Sequence, residues 1–148
     1  MPNVKDVHAE KFIMALSQFL KENGGMKVPD WAEYVKTAHF KEASPTDNDW
    51  YFVRAAAIAR QVYLRGATGV GMFKRIYGGK KRNGTAPNHV ATGSGAVARS
   101  CLNNLETIKF VTRDANNMRI LTSEGRRHMD RIATALVQSK YAVVDDDE

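Results

Sequence analysis

The sequence predicts a mainly α domain in which a bundle of about five helices surrounds one central apolar helix, with one small β-hairpin towards the C-terminal end. Three observations predict it. Apolar residues recur at three- and four-residue spacing over several separate stretches, as helices that bury one face require. One stretch, residues 47–64, is apolar around most of its circumference and so belongs inside the bundle. At residues 108–121 two short β-prone runs flank a polar turn. A chain of 148 residues, 43% hydrophobic and 9% aromatic, can bury a core as a single domain spanning residues 1–148.

Ala9, Phe12, Ile13, Leu16, Phe19 and Leu20 set the first helix, and Gly24-Gly25 stops its pattern. Val28-Pro29 introduces a short second helix at residues 30–36, with Asp30 and Glu33 in the first turn, where the partial positive charge of a helix start favours acids. Ser44-Pro45 marks a loop, after which Thr46, Asp47, Asn48 and Asp49 offer capping oxygens to the central helix. At about 100° per residue, Trp50, Arg54, Ala57, Gln61 and Arg65 share one narrow strip of that helix, which is expected to reach the surface, while Arg60 stands apart. The two indoles, Trp31 and Trp50, are assigned to the core by their size. Gly66, Gly69 and Gly71 lead into a short helical turn at residues 72–77, and from there to Gly93 the chain reads as an irregular Gly-rich loop. Ser94 caps a further helix that turns Val97, Ala98, Cys101, Leu102 and Leu105 inward and Arg99 and Asn103 outward. After the hairpin, Thr122 caps a last helix with Met129, Ile132, Ala133 and Leu136 inward and Arg127 and Arg131 outward. Residues 141–148, ending in four acids, are expected to form a disordered tail.

The net charge of +6 is concentrated in one segment. Residues 50–105 hold nine cations (Arg54, Arg60, Arg65, Lys74, Arg75, Lys80, Lys81, Arg82 and Arg99) and no Asp or Glu. Residues 1–49 hold six bases against eight acids, and residues 106–148 hold seven against eight. A cationic zone so sharply bounded implies one face for a polyanion, because neutralising backbone phosphates releases condensed counterions. Within it Lys80-Lys81-Arg82-Asn83-Gly84 combines charge with a glycine that lets backbone amides approach a phosphate. The nine cations are therefore the candidate nucleic-acid contacts, and Tyr77 and His89 are candidates for stacking on an unpaired base.

Three helices, a hairpin and a closing helix follow the order of a winged-helix-like domain with the hairpin as wing, an architecture that often meets nucleic acids. Trp50-Tyr51-Phe52-Val53-Arg54-Ala55-Ala56, Tyr63-Leu64-Arg65-Gly66, Gly69-Val70-Gly71, Ile76-Tyr77-Gly78-Gly79, Arg82-Asn83-Gly84 and Val97-Ala98-Arg99 carry a specific likeness. With Val4-Lys5-Asp6-Val7, Lys27-Val28-Pro29-Asp30-Trp31 and Leu121-Thr122-Ser123-Glu124-Gly125, they span nearly the whole chain and resemble the S19e family of small-subunit ribosomal proteins of archaea and eukaryotes. The resemblance implies a protein in the head of the small ribosomal subunit, bound to ribosomal RNA and needed for that subunit's maturation. It implies a monomer beside neighbouring small-subunit proteins, with no enzymatic activity, cofactor, small-molecule substrate or membrane. It implies a place in cytoplasmic ribosomes, with nucleolar passage in a eukaryote, and RNA-facing roles for Arg54, Arg60, Arg65, Lys80, Lys81, Arg82 and Arg99. The charge map alone adds Lys74 and Arg75.

Rival readings are weaker in the residues. Gly66-Ala67-Thr68-Gly69-Val70-Gly71 imitates a phosphate loop, but Met72-Phe73 stands where Lys and Ser or Thr should follow. His8, His39, His89 and His128 are scattered without metal-ligand spacing. The single cysteine, Cys101, lies on an apolar helix face, has no second thiol and fits a reducing compartment as a small core residue. No apolar run approaches the roughly 20 residues of a membrane span, and no secretory leader is expected. The alternative is a winged-helix DNA-binding regulator that reads bases with Arg99, Asn103 and Asn104. Against it, most of the charge lies upstream of that helix and no segment is left over for dimerisation. A protein-interaction adaptor using the wing and the Arg127/Arg131 face is a third reading.

Overall fold

The computed structural model describes residues 2–23 and 25–146, with side chains described to residue 139. Within these residues five α-helices run in the order α1 (Ala9–Glu22), α2 (Trp50–Arg65), α3 (Val70–Ile76), α4 (Gly95–Thr107) and α5 (Ser123–Asp146). Two antiparallel hairpins interrupt them, β1 (Gly79–Asn83) with β2 (Ala86–Ala91), and β3 (Val111–Arg113) with β4 (Arg119–Leu121).

The core is built around α2, whose Tyr51, Ala55, Ala56, Ile58, Ala59 and Val62 are almost wholly buried. Alanines on this helix let α1 and α4 approach closely, bringing Phe12, Leu16 and Leu20 from one side and Val97, Cys101, Leu102 and Leu105 from the other. The five inward residues expected on α4 are all buried, as are Met129 and Ala133 of α5. Helices α2, α3 and α4 followed by the β3–β4 wing make the winged-helix-like unit; α1 and α5 pack outside it. Thr68, fully buried between α2 and α3, adds a third edge to the wing sheet. Its N–H donates to the Arg119 carbonyl at 2.9 Å, and the Arg119 N–H returns to the Thr68 carbonyl at 2.7 Å.

Local chemistry sets the ends. Gly66 closes α2 with φ +80, a left-handed conformation that a Cβ disfavours. The Ser94 hydroxyl accepts from the Val97 N–H at 3.3 Å, and the Thr122 hydroxyl from the Gly125 N–H at 3.0 Å, so these two expected caps are in place; the cap expected from residues 46–49 is not, since α2 begins at Trp50 and Asp49 makes no side-chain bond to its first turn. Ser94→Ala is expected to cost about 1 kcal/mol. For a chain of this size that is roughly 3–4 °C in Tm by calorimetry, and an unchanged Tm would show that the cap bears no weight.

Four other expectations change. Residues 30–36 are not an α-helix: a 3-10 turn spans Asp30–Glu33 and ends at Tyr34, whose φ of −132 is not helical, and the Trp50 indole N–H holds the turn through the Ala32 carbonyl at 2.9 Å. Residues 78–93 are not an irregular loop: they contain the β1–β2 hairpin, so the fold has two hairpins where one was expected. The strip expected to reach the surface is half covered, with Trp50 buried and Arg54 half-buried, because the Trp50 indole bonds the Ala32 carbonyl and the Arg54 guanidinium lies on the Tyr77 ring. Helix α5 continues to Asp146, past the expected start of the tail at about 141, since no Gly or Pro interrupts residues 126–146. The last two residues of the expected acidic tail, Asp147 and Glu148, lie outside the described residues, as does Gly24.

Candidate nucleic-acid interface

The inserted hairpin is the most exposed ordered element of the fold. Every residue from Lys80 to Val90 is exposed except half-buried Asn83, and Val90 retains 93% of its accessible surface. Lys80 pairs with Val90 and Lys81 with His89, so successive cations point to opposite faces of the ribbon, and the register shifts between Lys81 and Asn83. The tip is the two-residue loop Gly84-Thr85, with Gly84 at φ +68 as tight hairpin turns demand. No acid lies on the ribbon. Arg82 comes within 3.8 Å of Glu42, but both side chains are at least 80% exposed, so water and salt screen the pair.

A lone two-stranded ribbon is marginal in water, so its aim depends on its root. The Gly93 N–H donates to the Lys74 carbonyl at 2.8 Å, and the Ser94 N–H to the Thr37 carbonyl at 2.9 Å. A Cβ on Gly78 would lie 2.6 Å from the Ala91 carbonyl oxygen, and one on Gly93 would lie 2.8 Å from that of Tyr77, so these crossings demand glycine. Beneath the root, Tyr77 stacks on buried Phe73 at 17° between rings, and the Arg54 guanidinium lies 4.0 Å from the Tyr77 ring centroid. Such a contact contributes about 0.5–2 kcal/mol. Burial lowers the Arg54 pKa from its ordinary value, opposed by nearby Tyr77, and burial raises that of Tyr77. Arg54 thus braces the hairpin, and Tyr77 is packed rather than open for stacking on a base.

The remaining candidates fall into three groups. Lys80, Lys81, Arg82 and Arg75 are exposed, with Arg75 on the helix that leads into the ribbon. Lys74, beside it, is half-buried, with its stem against Gly95 at the start of α4. Arg65 is exposed at the end of α2, roughly 16 Å along the helix from Arg54, and its Nε donates to Gln61 Oε1 at 2.9 Å. Arg60 is half-buried, and its Nε is enclosed without a hydrogen-bond partner among the described residues. Arg99 is exposed on α4 and lines a cleft of about 580 Å³ with Lys27, Trp31 and Asn103. The hairpin thus gathers its own cations and Arg75, whereas Arg65 and Arg99 stand on other elements.

Sequence reading missed Arg119. It is 8% exposed, and its Nη2 donates to Asn103 Oδ1 at 3.2 Å, so a cation from the wing supports the exposed face of α4. No periodicity could have found it, because β4 has only three residues. Cys101 is fully buried, and burial pushes its thiol up to about 12, which removes it as a nucleophile near neutrality.

A winged-helix unit carrying an inserted, acid-free β-ribbon defines the class of this protein. The family model described as "Ribosomal protein S19e" matches residues 3–139. The chain is 49% identical over 138 residues to the small ribosomal subunit protein eS19 of Mya arenaria, covering 93% of each chain. It is 50% identical over 134 residues to that of Myxine glutinosa, covering 90% of this chain and 92% of the other. Against that of Oryza sativa subsp. japonica it is 48% identical over 130 residues, covering 88% and 89%. The chain belongs to the ribosomal protein S19e family.

Proposed function

We propose that this chain is a structural, non-catalytic constituent of the small ribosomal subunit. It binds ribosomal RNA in the subunit head, beside neighbouring small-subunit proteins, and is needed for maturation of the precursor RNA and assembly of the subunit. In a eukaryotic cell it passes through the nucleolus and works in cytoplasmic ribosomes. Family membership supports the ribosomal setting, and the carrying observation for RNA is the exposed ribbon with Lys80, Lys81 and Arg82 and no acid. A ribbon with cations on both faces suits contact with phosphates on two sides of it, so shape and charge supply the recognition and base edges contribute little. None of the described helices is long and apolar enough to cross a membrane.

The DNA-regulator alternative loses residues it needs. Asn104, one of its three base readers, donates instead to the Lys27 carbonyl at 2.9 Å and to the Tyr51 hydroxyl, and Asn103 Oδ1 is taken by Arg119. The test is a sucrose gradient of cell lysate at low and high salt, with detection of this chain. Co-sedimentation with small subunits and complete ribosomes at both salts is expected; a pool found only free or on chromatin would overturn the proposal.

A further inference from the structure

We propose that the cleft between α4 and residues 27–31 receives one unpaired nucleotide of single-stranded RNA, its base against Trp31 and its phosphate on Lys27 and Arg99. This rests on the RNA-binding reading above and gives that reading a second, chemically distinct contact. The cleft holds about 580 Å³, within the range of roughly 300–1,000 Å³ usual for small-ligand sites.

Its lining is rich in unused donors. Among the described residues, the Lys27 ammonium, the Arg99 guanidinium and the Trp31 indole N–H make neither ion pair nor hydrogen bond, and Asn103 has its carbonyl oxygen engaged but its amide NH₂ free. One carboxylate, Asp30, stands in the lining against two cations. Such a site selects an acceptor-rich anion.

The walls are held by other atoms. Asn104 donates to the Lys27 carbonyl at 2.9 Å and accepts from the Lys27 N–H at 3.4 Å, which fastens the 27–31 segment to α4. Trp50 fixes the same segment through Ala32, and Tyr51 joins the Ser100 hydroxyl at 2.8 Å. The backbone that carries Lys27 and Trp31 is therefore fixed without consuming their side-chain donors. Trp31 is half-buried and meets Tyr51 at 77°, no parallel ring among the described residues covers it, and Val28 and Pro29 extend the apolar wall. An inorganic phosphate gains nothing from that wall, whereas a nucleobase does. A paired base keeps its faces stacked within its own helix, so the cleft takes an unpaired one.

The test is tryptophan fluorescence of the full chain, titrated at low salt with a single-stranded adenosine pentanucleotide and with an abasic ribose-phosphate pentamer of equal charge. The pentanucleotide is expected to quench emission, and Trp31→Phe should abolish the quench, because Trp50 is buried with its N–H bonded. Arg99→Ala, a surface change that leaves the fold alone, should raise Kd about tenfold, and the abasic pentamer should bind about tenfold more weakly than the pentanucleotide. Equal affinity for the two pentamers, or a full quench persisting in Trp31→Phe, would overturn the proposal. Quenching by a chain that fails to sediment with small subunits would leave the cleft standing and sink the ribosomal reading. Normal sedimentation without quenching would do the reverse.

Discussion

Replacing Lys80, Lys81 and Arg82 together by Gln is expected to weaken binding to a small-subunit rRNA fragment by about a hundredfold at roughly 0.15 M salt, with folding unchanged. The arithmetic is that of counterion release: each phosphate neutralised contributes a slope of about 0.9 in log affinity against log salt, which at that salt is roughly 0.7 of a decade. Three contacts then make about two decades. All three side chains are exposed, and the one ion pair they make among the described residues is solvent-screened. Stability should therefore move by less than about 0.5 kcal/mol. Filter binding over a salt series checks both numbers: the slope should fall by close to three units, uniformly across RNA sequences. An unchanged slope would remove the ribbon from the interface whatever the affinity did. Charge reversal at Arg54 would not serve as a cleaner probe, since Arg54 lies on Tyr77 beneath the hairpin root and its loss would disturb aim and folding together.

How legible this ribbon was in the sequence depends on which signal is asked. The charge was plain, because nine cations without an acid need no structure to be counted. The hairpin was not, although Asn83-Gly84 is a strong turn signal, because its strands lack alternating apolar residues. Alternation marks a strand with one face on a core, and this ribbon has both faces in water. The same logic explains the success at α4, where a single inward stripe of Val97, Ala98, Cys101, Leu102 and Leu105 followed directly from the 3.6-residue period. It also explains the partial failure on α2, where a helical wheel records which residues share a face but not which irregular segment covers it. Only the fold reveals that Ala32 meets the Trp50 indole and that Tyr77 lies under Arg54.

The candidate interface divides along the same line. The exposure of Lys80, Lys81, Arg82 and Arg99 was readable from charge and periodicity. Positions whose role depends on a distant partner were not. Arg119 is the clearest case: it is far from the basic segment in sequence, yet it joins the wing to Asn103 and through its backbone to Thr68. The contact that ties the wing to the body is thus made by residues that carry no local signal.

The junction of the wing with α5, at Phe110 and Gly125, yields the other large effect. Gly125→Ala is expected to lower stability by about 2 kcal/mol, which for this chain length is roughly 6–8 °C in Tm. Gly125 sits in the first turn of α5, where a Cβ would lie 2.5 Å from the Phe110 carbonyl oxygen and 3.1 Å from its Cα. The obstacle is backbone and cannot rotate aside. Nor can that carbonyl shift freely, because it accepts from the Thr122 N–H at 3.0 Å and from the Thr122 hydroxyl at 3.1 Å. Helix α5 must therefore lift off the start of the wing, loosening Phe110 and Met129, against a gain of only about 1 kcal/mol from replacing Gly by Ala in a helix. Gly71→Ala separates the two contributions: in α3 a Cβ there meets nothing within 4 Å, so only the favourable helix term remains and Tm should rise slightly. Calorimetry of the two variants should thus give shifts of opposite sign. The Gly125 variant should still bind RNA with a normal salt slope while folded, since none of the exposed cations has moved; equal Tm shifts, or a loss of slope, would refute the assignment of Gly125 to the wing junction alone.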